Sequence, residues 1–299
     1  MVVPTRNRRE LLACTLHTVC GQQDVDLEVL VVDDGSDSCA AAEVVAARQD
    51  PRVRILRNPA PRGVSATRNR GLEAAAGRWV AFCDDDDLWA PDKLAEQLAA
   101  ADRSGRDWVY AGAVKIDTAL RVVGGEPPQP PDVVHRRLPR WTLVPGGCSG
   151  VVARRELVLA VGGFDSALVN LADWDLWSRL ARHGPPAWVP LPLVGYRIHA
   201  GNSSQDTRLV LRELELIDGR YGGRVDRAAV HHYLAWVSLR GGRRRQAAAH
   251  FVQAAVRGDA LGVGRSLSAL ARGRLRRRRP QAPHAAWRAL ADRWLEPLR

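Results

Sequence analysis

Apolar positions in the first hundred residues follow two periods. Short β-rich runs predict strands at Met1-Val2-Val3-Pro4, at 27–32 (LEVLVV), at 53–56 (VRIL) and at 79–83 (WVAFC). Between them, apolar residues spaced three and four apart predict helices over 10–20, 39–48 and 65–76, the last closed by Gly77. This alternation predicts an α/β fold with a mostly parallel sheet flanked by helices, whose ligands collect beyond the carboxyl ends of the strands. A helix over 92–101 and a strand over 108–116 follow, and then 124–147, dense in Pro and Gly, reads as a long flexible loop over a site. A short helix at 156–160, an amphipathic helix at 172–183 and a strand at 187–197 complete the unit. From 207 onward the pattern is helical, over 227–239, 243–257 and a further pair reaching 299. Residues 242–259 resemble one helix of a tetratricopeptide-type hairpin, but one copy makes no repeat. The expected organisation is an α/β domain over 1–205 and a basic helical module over 206–299.

Composition adds a compartment and a charge asymmetry. The five cysteines are scattered and never spaced as CxxC, so they read as free thiols in a reducing compartment. The chain shows neither a signal-peptide pattern nor a membrane-length apolar run, and a cytoplasmic protein is expected. Met1 falls almost inside the first strand, from which a natural start upstream is expected. The net charge of +11 is confined to one end: residues 207–299 hold 20 Arg, no Lys and 7 acidic residues. Such a tail attracts anionic partners, and sign alone does not choose among nucleic acid, lipid and protein.

The chemistry is concentrated at Asp84, Asp85, Asp86 and Asp87, which follow the strand at 79–83. Four carboxylates at the tip of a buried strand repel one another unless a cation or a ring of donors gathers there. Oxygen-rich, thiolate-free ligation suits Mg²⁺ or Mn²⁺, which share their coordination shells with substrate phosphates. A plain acidic turn capping the next helix is the bland alternative.

Taken in order, Pro4-Thr5-Arg6-Asn7-Arg8, Val32-Asp33-Asp34-Gly35-Ser36, Asn69-Arg70-Gly71, the four aspartates with Leu88-Trp89, Gly162-Gly163-Phe164-Asp165, Asp173-Trp174-Asp175-Leu176-Trp177 and Tyr196-Arg197-Ile198-His199 resemble the successive motifs of family 2 glycosyltransferases. The resemblance covers roughly 1–205. It implies a GT-A fold, which is Rossmann-like, and an inverting, non-processive transfer from a nucleotide-diphosphate sugar, as in cell-envelope or other glycan biosynthesis. It implies a nucleobase contact at Asp34, with Pro4, Thr5 and Asn7 framing the base and Arg68 balancing nucleotide charge. Asp84 and Asp86 form the D-x-D element that reaches the ribose and the metal, with Asp86 as the direct metal ligand and Asp84 as a further one; Asp85 is the alternative ribose contact. Asp173 is implied as catalytic base, although Ala172 stands where the family has Glu. His199 resembles a late histidine that touches metal or diphosphate. Trp174 and Phe164 are weaker candidates for stacking on an acceptor, a glycan, lipid-linked or small-molecule compound.

Three other readings are weaker. A nucleotidyltransferase usually carries a Gly-rich phosphate loop after its first strand, where this chain has Thr5-Arg6-Asn7-Arg8. A processive synthase brings membrane helices and a QxxRW signature. A catalytically inactive nucleotide-binding protein leaves the set of carboxylates unexplained. The basic tail lacks nucleic-acid motifs, so contact with an anionic membrane through Arg274 and Arg276 to Arg279 is expected instead.

Overall fold

The computed structural model describes residues 1–199, 201, 206–271 and 285–299. Three parallel strands, β1 (Val2–Thr5), β2 (Val29–Asp33) and β3 (Val53–Arg57), form the first sheet in that order, with Thr5 level with Asp33 and Asp33 level with Arg57. Helices α1 (Arg9–Cys20), α2 (Ala40–Arg48) and α3 (Val64–Ala74) connect and cover them. A bridge from Val2 to Phe82 joins this sheet to a second, in the order β4 (Trp79–Ala81), β8 (Val151–Arg154), β6 (Trp108–Ile116), β9 (Ala187–Arg197) and β5 (Leu88–Trp89). In the second sheet β6 and β9 run parallel and the other pairings are antiparallel. Helix α4 (Lys93–Ser104) lies between β5 and β6.

Two local expectations change. Helix α3 ends at Ala74 because the Glu28 carboxylate accepts the N–H groups of Ala76 and Gly77 at 2.5 and 3.2 Å, pulling the chain out of the helix before Gly77. The stretch 124–147 is not one loop. Its start belongs to β7 (Val122–Glu126), paired with β6, and Pro131 opens α5 (Pro131–Arg137) at a position where a missing N–H costs nothing. Val134 and Leu138, one helical turn apart, are fully buried and anchor it.

Gly71 on α3 is set by β1. A Cβ there lies 2.3 Å from Val2 Cγ1, inside a core of fully buried residues. Gly71→Ala is expected to destabilise the protein by about 1–3 kcal/mol through overpacking, measured by urea denaturation.

After α6 (Arg155–Ala160) and α7 (Ala172–Ala181), the chain continues as α8 (Thr207–Arg220), α9 (Arg227–Arg240), α10 (Arg244–Ala254), α11 (Ala260–Ala271) and α12 (Ala285–Leu295). Val210, Leu214 and Ile217 of α8 share the largest core with Trp174 and Trp177 of α7 and Trp108 and Tyr110 of β6. Helix α12 lies on the second sheet: Trp287 packs where a Cβ on Gly112 would sit, and Trp294 Nε1 donates to Pro192 O at 3.1 Å. Both ends of the helical region are therefore packed on the sheets.

Candidate active site

The four aspartates form a turn between two buried strands. Asp87 N donates to Asp84 O at 3.1 Å, β4 stops at Ala81, and β5 resumes at Leu88. The carboxylates differ in their partners, although Asp85 and Asp86 share Arg8. Asp87, fully buried, accepts from Ser149 Oγ at 2.6 Å and Arg197 N at 3.0 Å; burial, with Asp86 and Asp84 nearby, pushes its pKa well up. Asp85 accepts from Thr5 Oγ1 at 2.7 Å and Arg8 Nη1 at 3.0 Å. Burial dominates its titration and, with the Asp86 charge, holds it up at about 6 against the opposing pull of Arg8. Asp86 accepts from Arg8 Nη1 at 2.9 Å and meets His199 Nε2 at 2.8 Å. Because Gly201 N donates to His199 Nδ1 at 3.1 Å, Nε2 carries the ring proton in the neutral imidazole and donates to Asp86. Asp84 pairs with the Arg68 guanidinium, and its backbone N donates to Ser149 Oγ at 3.0 Å.

Asp84, Asp85, Asp86, Arg8 and Arg68 line a cavity of about 460 Å³ together with Pro4, Thr5, Asp34 and Asp173, whereas Asp87 and His199 are not part of its wall. Asp34 closes one end. Its carboxylate accepts from Asn58 Nδ2, Arg62 N and Gly63 N at 2.8, 2.8 and 2.9 Å. Burial opposes the charge, yet these donors outweigh it and hold Asp34 below the usual carboxylate range. Oδ2 takes only one of the three bonds and keeps a lone pair for a further donor.

Asp173, in the first turn of α7, also lines the cavity and is only partly exposed. Trp174 N donates to Oδ1 at 2.7 Å, while Oδ2 lies 3.2 Å from where a Gly147 Cβ would be; glycine, at φ +52, leaves that space open. Burial raises the Asp173 pKa to about 6, with Asp84 adding to the rise and the Trp174 N–H and Arg68 opposing it. Asp175, two residues on, is fully buried and held by Arg179, Arg220 and Tyr221.

Four expected site residues are absent from the cavity wall, and one of them, His199, meets it through Asp86. Asn7, at φ 56, exchanges hydrogen bonds with Asp37 at 2.8 and 2.9 Å and is absent from the cavity wall; it ties the β1 and β2 loops together. Trp174 is fully buried, with Nε1 donating to Leu138 O at 2.5 Å, and so is not a stacking platform. Phe164 is 2% exposed, packed edge-on against Phe82 and beneath the Arg68 guanidinium, so it orders the cavity wall from behind. Asn202, Ser203 and Ser204 lie outside the described residues.

Sequence reasoning missed Arg8 and Glu213. Arg8 bridges Asp85, Asp86 and, through Nη2 at 2.9 Å, Gly201 O. Glu213, 1% exposed on α8, accepts the backbone N–H groups of Val169, Asn170 and Leu171 at 2.8, 2.9 and 2.9 Å, fixing the segment that enters α7 just before Asp173. Its signal was an acid on the apolar stripe Val210-Leu214-Ile217.

A mixed sheet with an acidic turn at the carboxyl edge of its strands, followed by helices, is a GT-A-like fold. Residues 1–158 match the family described as "Glycosyl transferase family 2", more than half of the chain, and the protein belongs to that family and is a glycosyltransferase. An uncharacterized glycosyltransferase of Haemophilus influenzae is 26% identical over 238 residues, covering 76% of this chain and 78% of that one. WfgD of Escherichia coli, a UDP-Glc:alpha-D-GlcNAc-diphosphoundecaprenol beta-1,3-glucosyltransferase, is 28% identical over 177 residues, 59% of this chain and 67% of its own. Among solved structures, S. aureus TarS 1-349 in complex with UDP-GlcNAc superposes with a TM-score of 0.62 at 18% identity, covering 79% of this chain and 70% of that one. The mannosyltransferase PcManGT from Pyrobaculum calidifontis, in complex with GDP-Man and Mn²⁺, gives a TM-score of 0.55 at 19% identity, covering 99% and 84%. These two likenesses concern the fold.

Proposed function

We propose that the protein transfers a sugar from a nucleotide-diphosphate donor to an acceptor hydroxyl, with inversion, non-processively and with a divalent cation, in glycan biosynthesis. The observation that carries this reading is that Asp173 and the acidic turn face one cavity large enough for a nucleotide sugar. The UDP-linked donor and the lipid diphosphate named for WfgD support a UDP-linked donor and a lipid-linked acceptor. Residues 1–205 carry the chemistry in this proposal, and 206–299 form a basic helical module that supports it.

Asp34 and the carboxyl end of β1 at Pro4 and Thr5 receive the base, and Asp84 or Asp85 the ribose. Asp173 takes the acceptor proton as the acceptor oxygen attacks the anomeric carbon, and the bond to the diphosphate breaks on the opposite face. A carboxylate held near 6 is ionised at neutral pH yet basic enough to accept that proton. Arg68 and Arg8 offset the charge of the leaving diphosphate.

The residues at the turn fit a hard cation in part. Asp86 and His199 converge within 2.8 Å, but among the described residues no group of three His, Cys, Asp or Glu side chains is arranged to hold a metal. Two protein donors completed by phosphate oxygens and water suit Mn²⁺ or Mg²⁺. For His199 Nε2 to ligate, its proton must move to Nδ1, which breaks the bond from Gly201 N. When bound, the cation supplies charge stabilisation of the diphosphate.

Incubation with UDP-glucose, UDP-N-acetylglucosamine and GDP-mannose tests the reading. Nucleotide diphosphate release, with the anomeric configuration of the product read by NMR, is expected to show inversion; retention, or no release from any donor, contradicts it. The acid limb of kcat/KM should fall with an apparent pKa near 6, since protonating Asp173 removes the base, and an unchanged rate down to pH 5 rules Asp173 out.

The same proposal includes peripheral contact with an anionic membrane. Arg274 and Arg276 to Arg279 lie outside the described residues, whereas Val256 and Leu261, 76% and 79% exposed, flank Arg257 at the turn joining α10 and α11. No described helix is long and apolar enough to cross a membrane. Sedimentation with phosphatidylglycerol vesicles, abolished by 0.5 M NaCl and absent with phosphatidylcholine, is the expected result; equal binding to both lipids contradicts it.

A further inference from the structure

Asn170 lines the cavity three residues before Asp173. Its side-chain Nδ2 and Oδ1 are both closed off from solvent, and neither has a hydrogen-bond partner in the protein. Closed-off amides are nearly always bonded, and this one, on a residue of the cavity wall, finds a partner only by turning its side chain toward the cavity, where a ligand bearing hydroxyl groups would supply it. The backbone around it is tightly held. Ser65 Oγ donates to Leu168 O at 2.5 Å, and the Glu213 carboxylate accepts from the backbone N of Val169, Asn170 and Leu171. The amide is thus carried on a fixed segment while its own donors and acceptor are unspent.

We propose that Asn170 is a specificity-determining residue whose amide hydrogen-bonds hydroxyl groups of a sugar bound next to Asp173, and that Glu213 is the positioning residue that holds it there. An amide offers two N–H donors and a two-lone-pair acceptor, which match neighbouring hydroxyls of one hexose, each able both to give and to accept. A site built to bond a hydroxyl rejects an analogue lacking it, because its own polar atoms are then left unpaired. The segment is reached from α8, so the helical region takes part in substrate choice. The inference rests on the glycosyltransfer reading above, and the sugar is either the donor's or the acceptor's.

Two readouts on the full chain separate these sources: KM for hydrolysis of the nucleotide sugar that the wild type cleaves fastest, and affinity for methyl glycosides of glucose, galactose and mannose by saturation-transfer NMR with nucleotide present. Asn170→Leu, branched like Asn but larger and apolar, and the smaller Asn170→Ala are both expected to weaken one readout at least tenfold while the melting temperature changes little. A raised donor KM assigns the contact to the donor sugar; weakened glycoside binding assigns it to the acceptor. Glu213→Gln should weaken the same readout, and combining it with Asn170→Leu should add little, as expected for residues acting through one contact. If both readouts stay within twofold of wild type in both Asn170 variants, the inference is overturned while the glycosyltransfer reading stands. A wild type that neither hydrolyses any donor nor binds any glycoside overturns both.

Discussion

Asp173→Asn is expected to leave nucleotide binding within about twofold of wild type and to lower sugar transfer by about 10³-fold, the middle of the range for loss of a general base. The substitution is nearly isosteric, and an Asn Oδ1 still accepts the Trp174 N–H, so α7 keeps its first turn. What disappears is the proton acceptor. In the proposed mechanism rate and binding separate because Asp173 would meet the acceptor oxygen, whereas Asp34, the carboxyl end of β1 and the acidic turn would hold the nucleotide. Steady-state kinetics with calorimetry on the same preparation checks this. A loss of affinity equal to the loss of rate would mean that Asp173 holds the donor rather than activating the acceptor.

Asp86→Ala should have the opposite profile, with affinity for a nucleotide diphosphate in Mn²⁺ falling about a hundredfold, or roughly 3 kcal/mol. Asp86 is the carboxylate on which Arg8 and His199 both converge. Its removal takes away a charge that also raises Asp85, so Asp85 should titrate lower in the variant than its wild-type value of about 6. The fold should persist, because Asp85 still balances Arg8 and the buried Asp87 keeps the turn closed through Ser149 and Arg197. A variant that binds nucleotide as tightly as wild type would move the cation contact elsewhere.

How much of this was legible depends on whether local pattern or tertiary packing decides a feature. Strands β6 and β9 carry long, mostly apolar and largely buried runs, and their expected limits match residue for residue. The α3 end was misread because its cause, Glu28, is distant in sequence. Strand β7 and α5 were hidden by Pro and Gly, although Val122, Val134 and Leu138 mark the buried positions. Within the site, the shared position of the acidic turn, Asp34 and Asp173 on one cavity was legible because each follows a strand or opens a helix next to a recognisable run, while their roles belong to the proposal above. Trp174 and Phe164 were misassigned for the reason tryptophans at helical spacing usually are: they fill the core. Asn170 carried no signal at all, since its significance comes from a carboxylate on α8, forty-three residues later. Burial of α8 against α7, and of Trp287 and Trp294 against glycines of the sheet, is likewise a property of packing that composition does not reveal.

The account turns on a nucleotide diphosphate bound with a cation at the acidic turn, and calorimetric titration of the wild type with UDP, GDP and dTDP, each with and without Mn²⁺, tests it most directly. One nucleotide is expected to bind at least tenfold more tightly with Mn²⁺ than without. Absence of binding by all three, or binding indifferent to the cation, would contradict it.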